Sequence, residues 1–253
     1  MSANYLDKII HKVSAWKWIH SRWVLMLLFP AWVTVSLFLS LGVVWVLVYA
    51  LSMTGIAFAT INTILFNAAV AAAIYIFALA IAIGVPWLFK KYTTSKELGL
   101  QRLPTWADIG LAPVGFIIYF IASGLLVYVA SQIIGFDVSQ IQDTGFTRLS
   151  RTYEYTLAFL TLIVVAPVAE ELLFRGFLYG KLRKYLPIWV SMLVTSLLFG
   201  VFHGQWNVGV DVFALSLVLC GLREVTGSVW AGLLLHIIKN SIAFFIVFIS
   251  PML

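Results

Sequence analysis

Long apolar runs separated by short polar turns dominate this chain. A helix rises about 1.5 Å per residue, so roughly 20 apolar residues cross the hydrocarbon core of a bilayer. Backbone groups in lipid must be hydrogen-bonded within their own segment, and the alternating pattern of a membrane barrel is absent. The pattern therefore predicts an all-α polytopic membrane protein with about seven to eight helices. The expected spans cover about residues 23–51, an apolar region ending near 89, and then 109–134, 153–185, 188–203, 208–222 and 227–250.

The first 22 residues have a different pattern. Apolar and basic positions recur there at helical spacing, which predicts an N-terminal amphipathic helix lying on an anionic membrane surface. A short tail that only satisfies the positive-inside rule is the alternative. No long apolar run precedes Arg22, so a cleavable signal peptide is not expected. The apolar positions are Leu6, Ile9, Ile10, Val13 and Trp16, and the basic ones are Lys8, Lys12 and Lys17.

Composition agrees with a membrane location. Of 253 residues, 62% are hydrophobic and 10% are charged, whereas a soluble domain carries about 25% charged residues. The formal net charge of +6 comes largely from basic clusters at the N-terminus, at 90–102 and at 181–184. With seven spans these clusters share one side, which predicts a multi-pass protein of the cell membrane with a cytoplasmic N-terminus. Membrane lipids are expected partners, and no motif indicates nucleic-acid binding.

Several ionisable residues lie inside the apolar runs, where each costs at least ~2.5 kcal/mol on insertion scales. Glu170 stands about sixteen residues before the break at Pro187, and His203 lies about sixteen residues after it. An antiparallel hairpin would bring both to a similar depth, roughly 24 Å from the turn. Glu171 and Arg175 are four residues apart and can pair on one helix face. Glu170 would then be left to act as a general base.

The last span supplies His236 and Asn240, again four apart on one face. His236 lies only about eight residues into its helix, so straight helices would leave a depth mismatch of about 10 Å. A tilt, or a re-entrant path near 204–209, is expected to absorb it. Asp211 is interpreted as a first-turn residue favoured by the helix dipole and is left out of the site. Simpler structural roles are open for His203 as a backbone-bonded histidine and for Asn240 as an interhelical contact.

The ordered motifs are Glu170-Glu171-x-x-x-Arg175, Phe199-x-x-x-His203 and His236-x-x-x-Asn240, on successive spans. Over about residues 153–248 this set resembles the CPBP family. That family contains the type II CAAX prenyl endopeptidases and the bacteriocin-processing or immunity proteins often called Abi. The segment 223–230 is similar to the family's lead-in to its final histidine helix. The earlier helices resemble the family only in being hydrophobic.

The resemblance implies an intramembrane endopeptidase. Glu170 would act with His203 to activate a water that attacks the scissile carbonyl. His236 and Asn240 would stabilise the oxyanion as it forms. Glu171 and Arg175 would hold the first helix in register, and direct participation of Glu171 in the reaction is an alternative. Phe199 would pack beside His203 and shape the pocket.

A metal is an open question at this point. Members of the family are often described as metalloproteases, and Glu170, His203 and His236 could supply a two-histidine, one-carboxylate zinc site. No HExxH helix is present. A glutamate-activated water explains the same residues, so the interpretation favoured here requires no cofactor, with zinc as the alternative.

The sequence predicts one domain with three parts. These are the amphipathic segment 1–22, the N-terminal transmembrane helices 23–152 and the catalytic helices 153–250. The expected substrate is a membrane-associated peptide or protein, such as a CAAX-like, leader or bacteriocin peptide. The alternatives are a catalytically silent scaffold or immunity protein and an ion-coupled transporter, although the internal repeats that favour a transporter are absent.

Overall fold

A computed structural model describes residues 21–133, 135–140, 142, 144–146 and 149–250. Within these ranges the chain forms helices and turns and contains no strand, which confirms the all-α prediction. The predicted amphipathic helix falls almost entirely on residues 1–20, outside the described residues.

Eight helices organise the described chain. Five of them, α1, α2, α4, α5 and α8, are long and apolar enough to cross a membrane, and α6 is a shorter apolar helix. Every predicted span is therefore a helix, although α6 ends before His203 and α7 extends beyond the predicted 208–222 at both ends. The bounds are α1 Arg22–Ser52, α2 Thr63–Leu88, α3 Ser95–Leu98, α4 Trp106–Ser131, α5 Thr152–Leu182, α6 Ile188–Val201, α7 Trp206–Thr226 and α8 Trp230–Ile249.

Local chemistry sets several helix ends. Asn62 caps α2 by accepting hydrogen bonds from the first-turn amides of Ile64 and Leu65, and Thr105 forms a capping box with Asp108 at α4. These side chains satisfy amides that have no partner inside the helix. Between α7 and α8 the chain turns at Gly227, whose φ of +66° suits a residue without a Cβ atom.

The connections collect on two faces of the bundle. On one face Lys181 Nζ donates to Glu97 Oε2 over 2.8 Å, and Trp230 Nε1 donates to the Arg102 carbonyl over 2.7 Å. We call this end, formed by residues 90–105, 181–187 and 223–229, the basic face.

On the opposite face, asparagine side chains form hydrogen bonds that join neighbouring segments. Asn62 Nδ2 donates to Glu154 Oε1 over 2.8 Å, which joins the start of α2 to the start of α5. Asn207 Nδ2 donates to the Gln140 carbonyl over 2.7 Å. Because successive helices run from one face to the other, they are antiparallel, as the predicted hairpins require.

Helix α5 lies at the centre. In its most apolar window 44% of residues are buried, against at most 28% in the other four long helices. Its aromatic and leucine side chains pack against α1, α2 and α6 in one core cluster. The outer helices instead expose apolar side chains, as expected of a surface that faces lipid. The exposed side chains of α4 include Ile117, Ile118, Phe120, Ile121 and Leu125.

Candidate active site

The ion pair predicted from the four-residue spacing is present at the centre of α5. Arg175 Nη1 donates to Glu171 Oε1 over 2.8 Å, and the two side chains are 0% and 1% exposed. Both residues lie in a π-helical segment, Glu171–Leu178, rather than in a regular α-helix. Arg175 Nε and Nη2 are buried without a hydrogen-bond partner among the described residues. Glu171 is therefore held in a buried ion pair with Arg175.

Phe199 of α6 connects the helices that carry the predicted site. Its ring centroid lies 4.3 Å from Arg175 Cζ, a distance at which the ring quadrupole attracts a cation. The centroid also lies 4.8 Å from the His203 ring and 6.1 Å from the His236 ring. The structure thus brings α5, α6 and α8 together around one aromatic side chain, with both histidines beside it.

Glu170 differs from its neighbour Glu171 in its surroundings. Its Oε1 accepts a hydrogen bond from the hydroxyl of Tyr75 on α2 over 2.6 Å. Its Oε2 lies 3.7 Å from His236 Nε2, beyond direct hydrogen-bonding distance. The Glu170 side chain is 15% exposed, against 1% for Glu171. Glu171 is thus held by a cation and buried, with its Oε2 unpartnered among the described residues, whereas Glu170 is partly exposed and holds its Oε2 toward His236.

His236 links the two carboxylates from the third side. Its Nδ1 lies 3.2 Å from Glu171 Oε1 while its Nε2 faces Glu170. The depth difference of about 10 Å that straight helices would leave is therefore absorbed, as expected. The π segment Glu171–Leu178, which lies between Glu170 and the turn before α6, advances less per residue than an α-helix and accounts for part of it.

Two glycines also help to bring the helices of the site together. A Cβ atom at Gly232 would lie 3.1 Å from Glu171 Oε2, so this glycine lets α8 approach α5 closely. The segment near 204–209, for which a re-entrant path is one expectation, forms a tight turn between α6 and α7. It runs through Gly204, whose φ is +69°, and α7 begins at Trp206.

His203 lies in the turn that follows α6. Its Nδ1 lies 2.9 Å from the Phe199 carbonyl, which orients the ring. The His203 ring also packs beside the ring of Phe199, which contacts the His236 ring as well. The backbone contact of His203 is the one expected of a structural histidine, and its assignment to the catalytic site stays a prediction.

The Asn240 side chain contacts the backbone of α5 and not the Glu170 side chain. Its Nδ2 donates to the Leu162 carbonyl over 2.8 Å, within the first π segment. This contact is the interhelical one considered as the simpler alternative. The assignment of Asn240 to an oxyanion site stays a prediction.

The zinc site considered as the alternative stays a prediction. No group of three His, Cys, Asp or Glu side chains in the described part of the chain is already spaced to hold a metal ion. His236 Nε2 and Glu170 Oε2, two of the three predicted ligands, lie 3.7 Å apart.

A second polar group next to the site was missed by sequence reasoning. Asp211 Oδ1 accepts hydrogen bonds from Tyr119 over 2.7 Å and from Ser123 over 2.5 Å, and Lys239 Nζ lies 3.6 Å from Oδ2. The first-turn interpretation of Asp211 is wrong, because α7 begins at Trp206 and has no acidic residue in its first turn. The charges of Asp211 and Lys239 within apolar helices were a usable signal for this contact.

Comparisons with known proteins point to the same part of the chain. Residues 152–242 match the family described as type II CAAX prenyl endopeptidase, Rce1-like. An uncharacterised 24.3 kDa protein of Escherichia coli is 34% identical over 85 residues, which are 32% of this chain and 39% of that protein. The chain thus spans about two fifths of the length of the curated relative it matches. No solved structure matches the chain significantly.

Proposed function

We propose that this chain, which belongs to the CPBP family through residues 152–242, is an intramembrane endopeptidase that uses Glu170 to activate water. The family is a protease family, and the multi-pass helical fold is that of a membrane protein. The observation that carries the proposal is the difference in ion pairing and exposure between two adjacent carboxylates, Glu170 and Glu171, at the centre of the bundle.

That inequality is what a general base requires. Glu171 is paired with Arg175 through Oε1 and is 1% exposed. Its Oε2 has no hydrogen-bond partner among the described residues, but it is buried against Gly232 and out of reach of solvent. Glu170 is fixed by one hydroxyl, that of Tyr75, and keeps Oε2 directed toward the site. A positioned carboxylate with one open oxygen can take a proton from water.

The proposed reaction is a direct hydrolysis. Glu170 removes a proton from water while the water oxygen bonds to the scissile carbonyl carbon. The negative charge that develops on the carbonyl oxygen is stabilised by donors of the histidine side chains and of Asn240. The carbon–nitrogen bond then breaks as the proton held by Glu170 passes to the leaving amine. His203 and His236, on either side of Phe199, orient the reacting groups.

The surroundings favour an apolar substrate. An apolar cavity of about 480 Å³ lies between α4, α6 and α7, next to the turn that carries His203. Glycines form part of its wall, and nothing lies within 4 Å of the Cβ position of Gly204, so a larger side chain there would find open space. A peptide bearing apolar side chains, or a lipid-modified CAAX-like peptide, suits such a site.

The test compares purified wild type with Glu170→Gln on a panel of membrane peptides, with and without a chelator. We expect the variant to lose at least about a hundredfold in kcat/KM, which is the lower range for a general base. Chelator should leave the wild-type rate unchanged. Asp137→Asn, an exposed carboxylate in the loop between α4 and α5 and outside this site, is the control and should keep full activity. Undiminished cleavage by Glu170→Gln would remove Glu170 from the mechanism.

A further inference from the structure

We propose that a cavity on the basic face binds the phosphate of an anionic lipid headgroup. The cavity lies at the other end of α5 from the start of that helix and has a volume of about 480 Å³. It is independent of the peptidase site, since none of the predicted site residues lines it. The charged lining residues are Lys96, Glu97, Arg183, Lys184, Arg223 and Glu224.

The carboxylates of this cavity are already fully engaged. Glu97 Oε2 accepts from Lys181 over 2.8 Å, and its Oε1 accepts from Lys184. Burial raises the pKa of Glu97, but the hydrogen bonds from the two lysines outweigh it and hold that pKa below its usual value. Glu224 is bound twice by Arg183, at 2.9 Å each, and once by the Tyr179 hydroxyl. These two anions neutralise cations and attract no further ones.

Two cations are left over. Arg223 Nη2 donates only to the carbonyls of Glu97, at 3.1 Å, and Lys96, at 3.4 Å. Its Nε is buried with no hydrogen-bond partner among the described residues. Lys96 has an exposed side chain and no ion pair within the described ranges. The cavity therefore carries a net charge of +2, from four cations and two carboxylates.

Close backbone packing forms the cavity in advance of any ligand. A Cβ atom at Gly180 would lie 2.6 Å from the Glu97 carbonyl oxygen, so α5 and the α3 segment meet backbone to backbone. Gly99 has a φ of +76°, and a Cβ atom there would lie 2.8 Å from Arg223 Cζ. The Gly99 carbonyl also accepts from the Val229 amide over 3.2 Å. Arg223 is thus held in place by the turn that closes α3.

The level of the cavity along the helices indicates the kind of ligand that it binds. Three tryptophans at the basic-face ends of α2, α4 and α6 are strongly exposed: Trp87 at 60%, Trp106 at 86% and Trp189 at 65%. Exposed tryptophans at helix ends mark the headgroup level of a bilayer. Basic pockets between membrane helices at that level bind anionic headgroups, and guanidinium groups bind phosphate oxygens strongly.

The test uses purified full-length protein in neutral detergent with short-chain phosphatidylglycerol, phosphatidylcholine or sodium phosphate. Binding is read from the shift of the thermal unfolding midpoint. We expect phosphatidylglycerol to stabilise the wild type, and its apparent Kd to rise at least tenfold in Arg223→Gln and in Lys96→Gln. Lys91→Gln, on the same face but outside the cavity, is the control and should bind as wild type does.

The outcomes separate the sources of the phosphate. Equal stabilisation by sodium phosphate at the same concentration would assign the site to free phosphate and overturn the lipid. Equal responses of wild type, Lys96→Gln and Lys91→Gln to phosphatidylglycerol would overturn the site altogether. Lys96 is exposed, so its substitution keeps the test valid if Arg223→Gln fails to fold. No peptidase activity is measured, so failure of the proposed function leaves the result unaffected.

Discussion

Glu170 and Glu171 are adjacent in sequence and have opposite roles in the structure. Glu171 Oε1 is shared by Arg175 at 2.8 Å and His236 at 3.2 Å, whereas Glu170 contacts a neutral hydroxyl. Their side chains are separated by about 100° around the helix, so one faces the cation and the other the open site. On the proposed mechanism, Glu171 stabilises the fold and Glu170 takes part in the reaction.

Removing the charge of Glu171 should mainly affect stability. Glu171→Gln leaves Arg175 as an unpaired buried cation, and breaking such a pair costs roughly 3–5 kcal/mol. We expect a loss of that size in the free energy of unfolding, measured by denaturant in detergent. The double variant Glu171→Gln/Arg175→Met has no buried charge at this position and should regain at least half of it. Additive losses in the double variant would contradict the pairing.

Replacing Tyr75 should mainly affect rate. Tyr75→Phe removes the 2.6 Å hydrogen bond to Glu170 while preserving the ring. A hydrogen bond to a charged group contributes about 1.5–3 kcal/mol, so kcat/KM should fall roughly ten- to a hundredfold with little change in the unfolding midpoint. In a Glu170→Gln background the same substitution should have no further effect. A further loss there would show that Tyr75 acts through another group.

The sequence predicted those contacts that depend on spacing within one helix. Residues four apart share a face, so the pair Glu171–Arg175 could be inferred from spacing and is in contact. The packing of Phe199 beside His203 was implied by the family resemblance, and the two rings are in contact. The partner of Glu170 could not, because Tyr75 lies 95 positions away and a lone tyrosine in an apolar helix has no pattern. Only the packing of α2 against α5 reveals it.

Among the elements, α5 departs most from the expected regular helix. Its spacing and composition predicted a continuous span, which is correct, but two π segments interrupt it at Leu160–Val165 and Glu171–Leu178. Hydropathy carries no signal for the i to i+5 bonding pattern, so the π segments could not be predicted from the sequence. These segments lie where Asn240 and His236 of α8 make contact, and π segments frequently occur at functional sites.

The close crossing of α6 and α7 sets the position of the turn that carries His203. A Cβ atom at Gly200 would lie 2.8 Å from the Gly209 carbonyl oxygen. Gly200→Ala should therefore push the two helices apart, lower the unfolding midpoint and reduce kcat/KM at least tenfold. Gly110→Ala is the control, because nothing lies within 4 Å of that position. Its higher helix propensity should leave stability unchanged or slightly increased. Equal effects of the two substitutions would contradict the close crossing.

At the scale of the whole molecule, the antiparallel order places all basic connections on one face and the asparagine contacts on the other. The positive-inside rule then predicts that the basic face is cytoplasmic. In a Cys220→Ala background, Lys90→Cys should react with a membrane-impermeant thiol reagent only from the cytoplasmic side. Asp137→Cys should react only from outside. Cys220 itself is buried and free. Labelling of both cysteines from one side would contradict the arrangement of the helices.

On the proposed function, the bundle brings groups from α2, α5, α8 and the turn after α6 into one hydrolytic site. Residues that act as a unit in catalysis give strongly non-additive losses when substituted. The most direct measurement is therefore kcat/KM for wild type, Glu170→Gln, His203→Gln and the double variant on one cleaved membrane peptide. We predict that the double variant loses no more than about threefold beyond the worse single variant. Losses that multiply, or a Glu170→Gln enzyme that cleaves as wild type does, would contradict the shared site.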